Sequence, residues 1–304
     1  MNAVAGQGRH SSTPALPVCP ACAGRRAAPH WTKFGYDLWR CPDCGLIWTY
    51  PIPSDSDLAR YYEQEFFQGG ASVGYTDYEA AWRKRNYRRD ARALERVVTP
   101  GRLLDVGCAT GDFLDACSDQ WDKYGLEVSR FAGEQARRKY GERIRIASLK
   151  DAGFPENFFD AVTLWETLNH LSDPAGDLAR CARLLKPGGR LLLNVGDASS
   201  FLARLLGRYW YQVTPPVHLF YFTPTSLEWM LHAAGLTPVS RHYPGKFASL
   251  TATLERFKDT TGSPGLARAC RRLSALGLSR LVYYINLRDT MLVMARKPTG
   301  ETSV

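Results

Sequence analysis

Apolar runs separated by polar, glycine-bearing breaks recur from about residue 100 onward, and their lengths predict strands alternating with helices. Leu103-Leu104-Asp105-Val106 reads as a buried strand, Gly107-Cys108-Ala109-Thr110-Gly111 as a tight turn, and Asp112-Phe113-Leu114 as a helix start. Trp121 to Val128 gives a second short strand ending in the acid Glu127, after which Ser129 is placed to cap a helix running through Tyr140. Phe158 to Trp165 is the next apolar strand. Lys186-Pro187-Gly188-Gly189 then ends a helix and turns into the strand Leu191-Leu192-Leu193, and a last apolar run spans Thr290 to Lys297. Upstream, Ser54 or Asp55 caps a helix into Tyr61-Tyr62-Glu63-Gln64-Glu65-Phe66-Phe67, and a second helix covers about 77 to 97. The alternation predicts an α/β fold with a doubly wound, largely parallel sheet.

Open sheets of this kind bind ligands at the carboxyl ends of their strands, where a glycine turn meets a helix. Gly107, Ala109 and Gly111 let the backbone approach a ligand closely, and Asp105 sets a carboxylate beside the turn. The dinucleotide fingerprint G-x-G-x-x-G would put its third glycine where this chain has Asp112, and an acid at a helix start repels a pyrophosphate. A ligand with a cationic centre and no phosphate suits Asp105 and Asp112 better.

The stretch Asp105 to Gly111 resembles the first motif of class I S-adenosylmethionine (SAM) methyltransferases, D-x-G-x-G-x-G, with Ala109 in place of the middle glycine. Further segments similar to that family follow in order: the strand through Trp165, the Lys-Pro-Gly-Gly turn, His218-Leu219-Phe220-Tyr221-Phe222, and the helix holding Met230 and Leu231. The resemblance implies a Rossmann-like seven-stranded doubly wound sheet over residues 100–298, closed by an antiparallel strand at 290–297. It also implies substrate-roof insertions at 197–223 and 244–288, with tails at 1–17 and 299–304. SAM would be held by Asp105, Gly107, Cys108, Ala109 and Gly111, with Glu127 and Val128 at the ribose. Ser148 and Leu149 would lie near the adenine, and Trp165 and Glu166 at the fourth strand end. Cys108 is expected to contribute backbone rather than sulfur. His170 and His218 fall where relatives build the acceptor pocket and are candidate bases, since imidazole titrates near neutral pH. Relatives carry Glu-His where this chain has Asn169-His170, so a carboxylate-oriented or metal-assisted mechanism does not carry over.

Cys19-Pro20-Ala21-Cys22 and Cys41-Pro42-Asp43-Cys44, with eighteen residues between them, match the two knuckles of a four-thiolate zinc site. A structural Zn²⁺ held by Cys19, Cys22, Cys41 and Cys44 predicts a small N-terminal zinc-ribbon module over 18–50, followed by a helical linker or cap over 51–99. The polar N-terminal stretch carries no apolar secretory segment. The expected setting is therefore the cytoplasm, where thiols bind metal sooner than they oxidise. Cys108, Cys117, Cys181 and Cys270 share no such spacing and read as small core residues.

At 304 residues and 45% hydrophobic content, the chain suffices for an α/β core plus a metal-held module, and it contains no apolar run of membrane-spanning length. Its net charge is +9, of which the second predicted helix supplies +5: Arg83, Lys84, Arg85, Arg88, Arg89, Arg92 and Arg96 against Asp90 and Glu95. Such a stripe attracts nucleic acid, an anionic membrane surface or a phosphorylated or carboxylated metabolite, or is simply solvated. Arg268, Arg271, Arg272 and Arg280 beside Leu281-Val282-Tyr283-Tyr284-Ile285 suit peripheral lipid contact or amphipathic packing. Trp165-Glu166-Thr167-Leu168 is not the Asp/Asn-Pro-Pro-Tyr/Phe signature of amino methyltransferases, Thr214-Pro215-Pro216-Val217 lies too far along to serve as it, and no cysteine nucleophile stands at that strand end. The leading expectation is methyl transfer to a small-molecule acceptor, on an oxygen of a quinone, polyketide or sugar. The alternatives are an rRNA methyltransferase that uses the ribbon and the basic helix, a metabolite C- or N-methyltransferase, and a SAM-binding regulator.

Overall fold

The computed structural model describes residues 17–55, 57–58, 81–250, 253–254, 265, 268, 272 and 281–299. The N-terminal knuckles frame three short strands, β1 (Ala28–Lys33), β2 (Tyr36–Arg40) and β3 (Ile47–Thr49), and helix α1 (Ala81–Glu95) follows. Next come β4 (Arg102–Val106), α2 (Asp112–Ala116), β5 (Asp122–Glu127), α3 (Arg130–Tyr140), β6 (Ile144–Ile146) and β7 (Phe159–Trp165). The chain continues through α4 (Pro174–Leu184), β8 (Leu185–Gly196), α5 (Phe201–Leu206), β9 (Phe220–Tyr221), α6 (Pro224–Ala233) and β10 (Thr237–His242). It closes with β11 (Lys246–Ser249), β12 (Val282–Ile285) and β13 (Thr290–Arg296).

The main sheet has seven strands in the order β10-β13-β8-β7-β4-β5-β6. β8, β7, β4, β5 and β6 run parallel, while β13 pairs antiparallel with β8 and with β10. Alternation along the strands divides the core into two faces. Leu103, Ala161 and Leu192 pack with Leu94, Phe113 and Ala136 of α1, α2 and α3. Leu104, Val162, Leu191 and Leu193 pack with Leu178 and Cys181 of α4 and Met230 of α6. This is the expected doubly wound, Rossmann-like sheet.

Local signals placed several boundaries well. Ser129 accepts the Ala132 N–H at the start of α3, and the Ser54 side chain accepts the Asp57 N–H. The rest of that expected helix beyond residue 58, positions 77–80, 1–16 and 300–304, and Arg271 and Arg280 lie outside the described residues. The expected Lys-Pro-Gly-Gly turn is corrected. α4 ends at Leu184 and β8 begins at Leu185, so the four residues lie within the strand as a bulge, with Phe159 opposite Leu185 but Ala161 opposite Arg190. Gly188, at φ +79°, takes the left-handed conformation that the bulge requires.

A four-stranded sheet in the order β1-β2-β3-β9 joins the N-terminal strands to the segment after His218. Ile47 pairs with Tyr221 and Trp48 with Phe220. The Thr223 hydroxyl donates to the Cys44 carbonyl at 2.7 Å. Cys41, Cys44 and Trp48 share one buried cluster with Leu219, Phe220 and Phe222.

Candidate functional site

The turn after β4 is built to leave space above it. Gly107 has φ +73°, and a Cβ there would sit 2.7 Å from the Thr167 side chain. Ala109 also adopts a positive φ, +48°, and donates its N–H to Glu127 at 2.9 Å. The second oxygen of Glu127 accepts the Ser129 N–H at 2.8 Å. One carboxylate thus ties the turn after β4 to the turn after β5. Burial raises its pKa, against the pull of those two N–H groups.

Above these turns lies a cavity of about 540 Å³, within the size range of small-molecule sites. Gly107, Ala109, Glu127, Val128, Ser148, Leu149, Trp165, Glu166 and His170 line it. Asp105, Cys108, Gly111 and His218 are not among the lining residues. Asp105 sits beneath the turn and accepts the Thr163 hydroxyl at 2.7 Å, and burial pushes its carboxyl up to about 8. The Cys108 thiol faces Gly125, where a Cβ would lie 2.6 Å from the sulfur. Gly111 caps α2 from the left-handed region.

Asp55, Asp173, Asp177 and Arg180 close the far side of the cavity. Asp55 accepts the Ser172 hydroxyl, while Arg180 donates to Asp173 at 3.1 Å and to Asp177 at 2.8 Å. Burial lifts Asp177 to about 6, against the pull of Arg180. Sequence reasoning did not gather these acids, because Asp55 comes from a segment far from Asp173 and Asp177. Asp173-Pro174, a helix cap followed by proline at the first turn, was the one local hint. Acidic walls, a turn that presents only Gly107 and the methyl of Ala109, and Glu127 fit a nucleoside ligand with a cationic centre better than a phosphate.

His170 and His218 meet edge to face, with ring centroids 4.8 Å apart. Burial holds His170 at about 3, so its ring is neutral. The Nδ1 of His218 lies 2.6 Å from the Gln212 carbonyl, which fixes the proton on that nitrogen. The Leu219 N–H bonds the Asn169 carbonyl at 2.8 Å and anchors the His218 segment beside His170.

A family described as a methyltransferase domain matches residues 79–241. The chain belongs to this methyltransferase-domain family. The ubiquinone biosynthesis O-methyltransferase of Alkalilimnicola ehrlichii is 34% identical over 126 residues, which cover 38% of this chain and 50% of that protein. O-methyltransferase cnsE of Penicillium expansum is 31% identical over 187 residues, 54% of this chain and 68% of that one. The chain spans about half the length of the first of these relatives. Among solved structures, the [4+2]-cyclase SpnF superposes with a TM-score of 0.53 at 21% identity, covering 82% of this chain and 99% of its own. That likeness concerns the fold.

In this methyltransferase-family chain a second cavity, of about 140 Å³, shares Trp165 and Glu166 with the first. Helix α1 and the antiparallel β11-β12 strand pair wall it. Asn86 of α1 bonds the Phe247 backbone in both directions, at 2.9 Å each, and Arg85 stacks over the Phe247 ring. Arg89 reaches the Gly245 carbonyl and also clamps Asp90 at 2.7 and 2.8 Å. Burial lifts Asp90 to about 6 despite that guanidinium. Glu166, at the junction of the two cavities, holds φ +51°, a strained setting of the kind that gathers at functional sites. Apart from Trp165 and Glu166, the residues of this cavity were absent from the sequence-based site, although Trp82 and Tyr87 among the arginines of α1 were a usable signal.

The four sulfurs of Cys19, Cys22, Cys41 and Cys44 lie within 4.8 Å of one another. Cys19 and Cys44 are 3.5 Å apart, and Cys22 and Cys41 3.6 Å. Tetrahedral Zn²⁺ with Zn–S bonds of about 2.3 Å needs sulfurs about 3.8 Å apart, so the set fits. In both knuckles the N–H four residues after the first cysteine returns to its carbonyl, Ala23 to Cys19 and Gly45 to Cys41, each at 3.0 Å. The hydrogen bond between Cys19 and Cys44 lowers the first thiol and raises the second.

Proposed function

We propose that this chain transfers a methyl group from SAM to a small-molecule acceptor, with oxygen as the accepting atom. The observation that carries the reading is the junction at Trp165 and Glu166, where the nucleoside-sized crevice meets a second, smaller cavity. The O-methyltransferase names of the two relatives support it. When bound, SAM supplies an activated methyl on a sulfonium, open to in-line displacement by an aligned nucleophile.

Glu127 keeps lone pairs beyond its two backbone bonds, and these would receive ribose hydroxyls. Gly107 and Ala109 would let the donor lie close to the backbone, while Asp55, Asp173 and Asp177 would favour its positive charges. Glu166 stands where donor and acceptor cavities join and would orient both. The neutral ring of His170, on the crevice wall, is the proton acceptor of this reading, with His218 packed behind it. Zn²⁺ on the four thiolates would hold the N-terminal strands against β9.

Calorimetry with S-adenosylhomocysteine tests the reading. The expected result is saturable heat that Glu127→Ala weakens at least about tenfold with the far-ultraviolet spectrum unchanged, as loss of charge-assisted bonds requires. Absence of heat from the folded wild-type protein would refute it.

A further inference from the structure

Helix α5 reads Phe-Leu-Ala-Arg-Leu-Leu, five apolar residues to one charged. A surface helix turns a polar face to water, and one that is apolar all round is covered on both sides. The inner side of α5 is covered by protein: Leu202, Ala203 and Leu206 pack with Leu38 of β2, Ile47 of β3 and Trp210. The outer side is not, since Phe201 is 75% exposed and Leu205, one turn on, 67%.

Two more side chains extend this face. Tyr209, in the turn Gly207–Tyr209 that follows, is 48% exposed, and Phe34, at the tip between β1 and β2, 51%. The Lys33 ammonium donates to the Arg208 carbonyl at 2.7 Å and lies 5.1 Å from the centre of the Phe34 ring, which ties that tip to the end of α5. Gly207 backs onto β1, where a Cβ would lie 3.7 Å from the Trp31 ring. One exposed apolar side chain needs no explanation, but several large ones gathered on one face mark a docking surface.

We propose that this face docks on an anionic lipid bilayer. Charge selects that occupant. From Ala198 to Gln212 the chain carries Arg204 and Arg208 and no acid. Arg204 is exposed, and among the described residues its guanidinium has no partner. Arg208, also exposed, engages the hydroxyl and ring of Tyr209, itself part of the face. Asp37, the acid nearest Phe34 in the chain, accepts the Thr32 hydroxyl at 2.8 Å. Aromatic and leucine side chains enter the acyl boundary of a membrane while neighbouring guanidinium groups stay with the phosphates. A second copy meeting this face across a two-fold axis would set arginine against arginine, which disfavours it. α5 leaves the carboxyl end of β8, the sheet edge that carries both cavities, so docking would hold that edge close to the lipid. The inference does not depend on the methyl-transfer reading.

The test is flotation of the full chain with vesicles of phosphatidylcholine containing about one-third phosphatidylglycerol, against phosphatidylcholine alone. Binding to the anionic vesicles should be at least about tenfold tighter and should weaken as salt rises. Phe201→Ser combined with Leu205→Ser should lower affinity at least about tenfold. Arg204→Gln combined with Arg208→Gln should do the same, because each arginine near such a surface adds about fivefold. Trp229, 54% exposed on α6, is the control, and Trp229→Ser should leave binding unchanged. Leu205→Trp should add an emission that acyl-chain-brominated lipid quenches, which places position 205 in the apolar layer. No binding to anionic vesicles, equal binding to neutral ones, serine variants that bind like wild type, or an equal loss in Trp229→Ser would overturn the inference. So would a wild-type dimer that the serine pair splits without any vesicle binding, since that assigns the face to a second copy.

Discussion

Replacing Thr223 by valine removes one oxygen and keeps the side-chain shape, and that oxygen joins two parts of the molecule. It accepts the Ser226 N–H at 3.1 Å as the cap of α6 and donates to the Cys44 carbonyl at 2.7 Å. Both bonds are buried. Loss of the cap costs about 1 kcal/mol, and leaving a buried carbonyl without its donor costs about 1 to 2 kcal/mol more. Thr223→Val should therefore destabilise the protein by about 2 to 3 kcal/mol, whereas Thr223→Ser, which keeps the hydroxyl, should cost under about 1 kcal/mol. Urea unfolding at fixed zinc concentration measures the difference. The Cys44 carbonyl belongs to a knuckle of the proposed zinc site, so a chelator with a chromogenic indicator should also strip metal faster from the valine variant. A valine variant within about 0.5 kcal/mol of wild type, or equal losses in both variants, would show that the hydroxyl does not couple the knuckle to the helix.

Asp105, pushed from 3.8 up to about 8 by burial, makes the folded state the stronger proton binder. Its contribution is full below the lower value and is lost as pH rises toward 8, by several kcal/mol at most. Asp105→Asn should flatten stability between about pH 5 and 9 in urea titrations, and an unchanged slope would contradict the assignment. His170, held at about 3, should give no acid limb in the rate profile above about pH 5. His170→Ala should lower turnover at least about tenfold with S-adenosylhomocysteine affinity retained, and full turnover in that variant would remove it as a base. Lys84, Arg88 and Arg92 are exposed on α1 away from both cavities. Their joint reversal to Glu should leave methyl transfer intact, and salt-sensitive RNA binding that the reversal abolishes would instead favour the nucleic-acid alternative.

What the sequence disclosed was local. The strand-turn-helix at 103–114, the Ser129 cap and the two cysteine knuckles each lie within a dozen residues, so spacing alone carried them. Asp105 shows the limit of a motif. Its residue type was readable, but strand register sets it opposite Thr163, whose hydroxyl takes the carboxylate below the turn. The smaller cavity was hidden for another reason. Asn86 and Phe247 are 161 residues apart in the chain, and no periodicity tells a basic helix that a distant strand will lie on it. β9 was similarly unreadable, because two residues, Phe220 and Tyr221, become a strand only when β3 is present to pair with them.

That pairing sets how the four-cysteine segment would bear on the proposed chemistry. The backbone route from Cys44 runs through the Thr223 bond and the β3-β9 ladder to Leu219, whose N–H holds the Asn169 carbonyl next to His170. The turn at Gly107 and Ala109 hangs on Glu127 and Leu126, and among the described residues neither bonds to the N-terminal strands. A disturbance of the knuckles therefore reaches the histidine pair before the donor turn. Loss of metal should accordingly slow transfer by displacing His170 and His218 at a donor affinity that stays close to normal. The opposite order, in which donor binding fails first, would mean that the ribbon supports the whole sheet and not the roof segment.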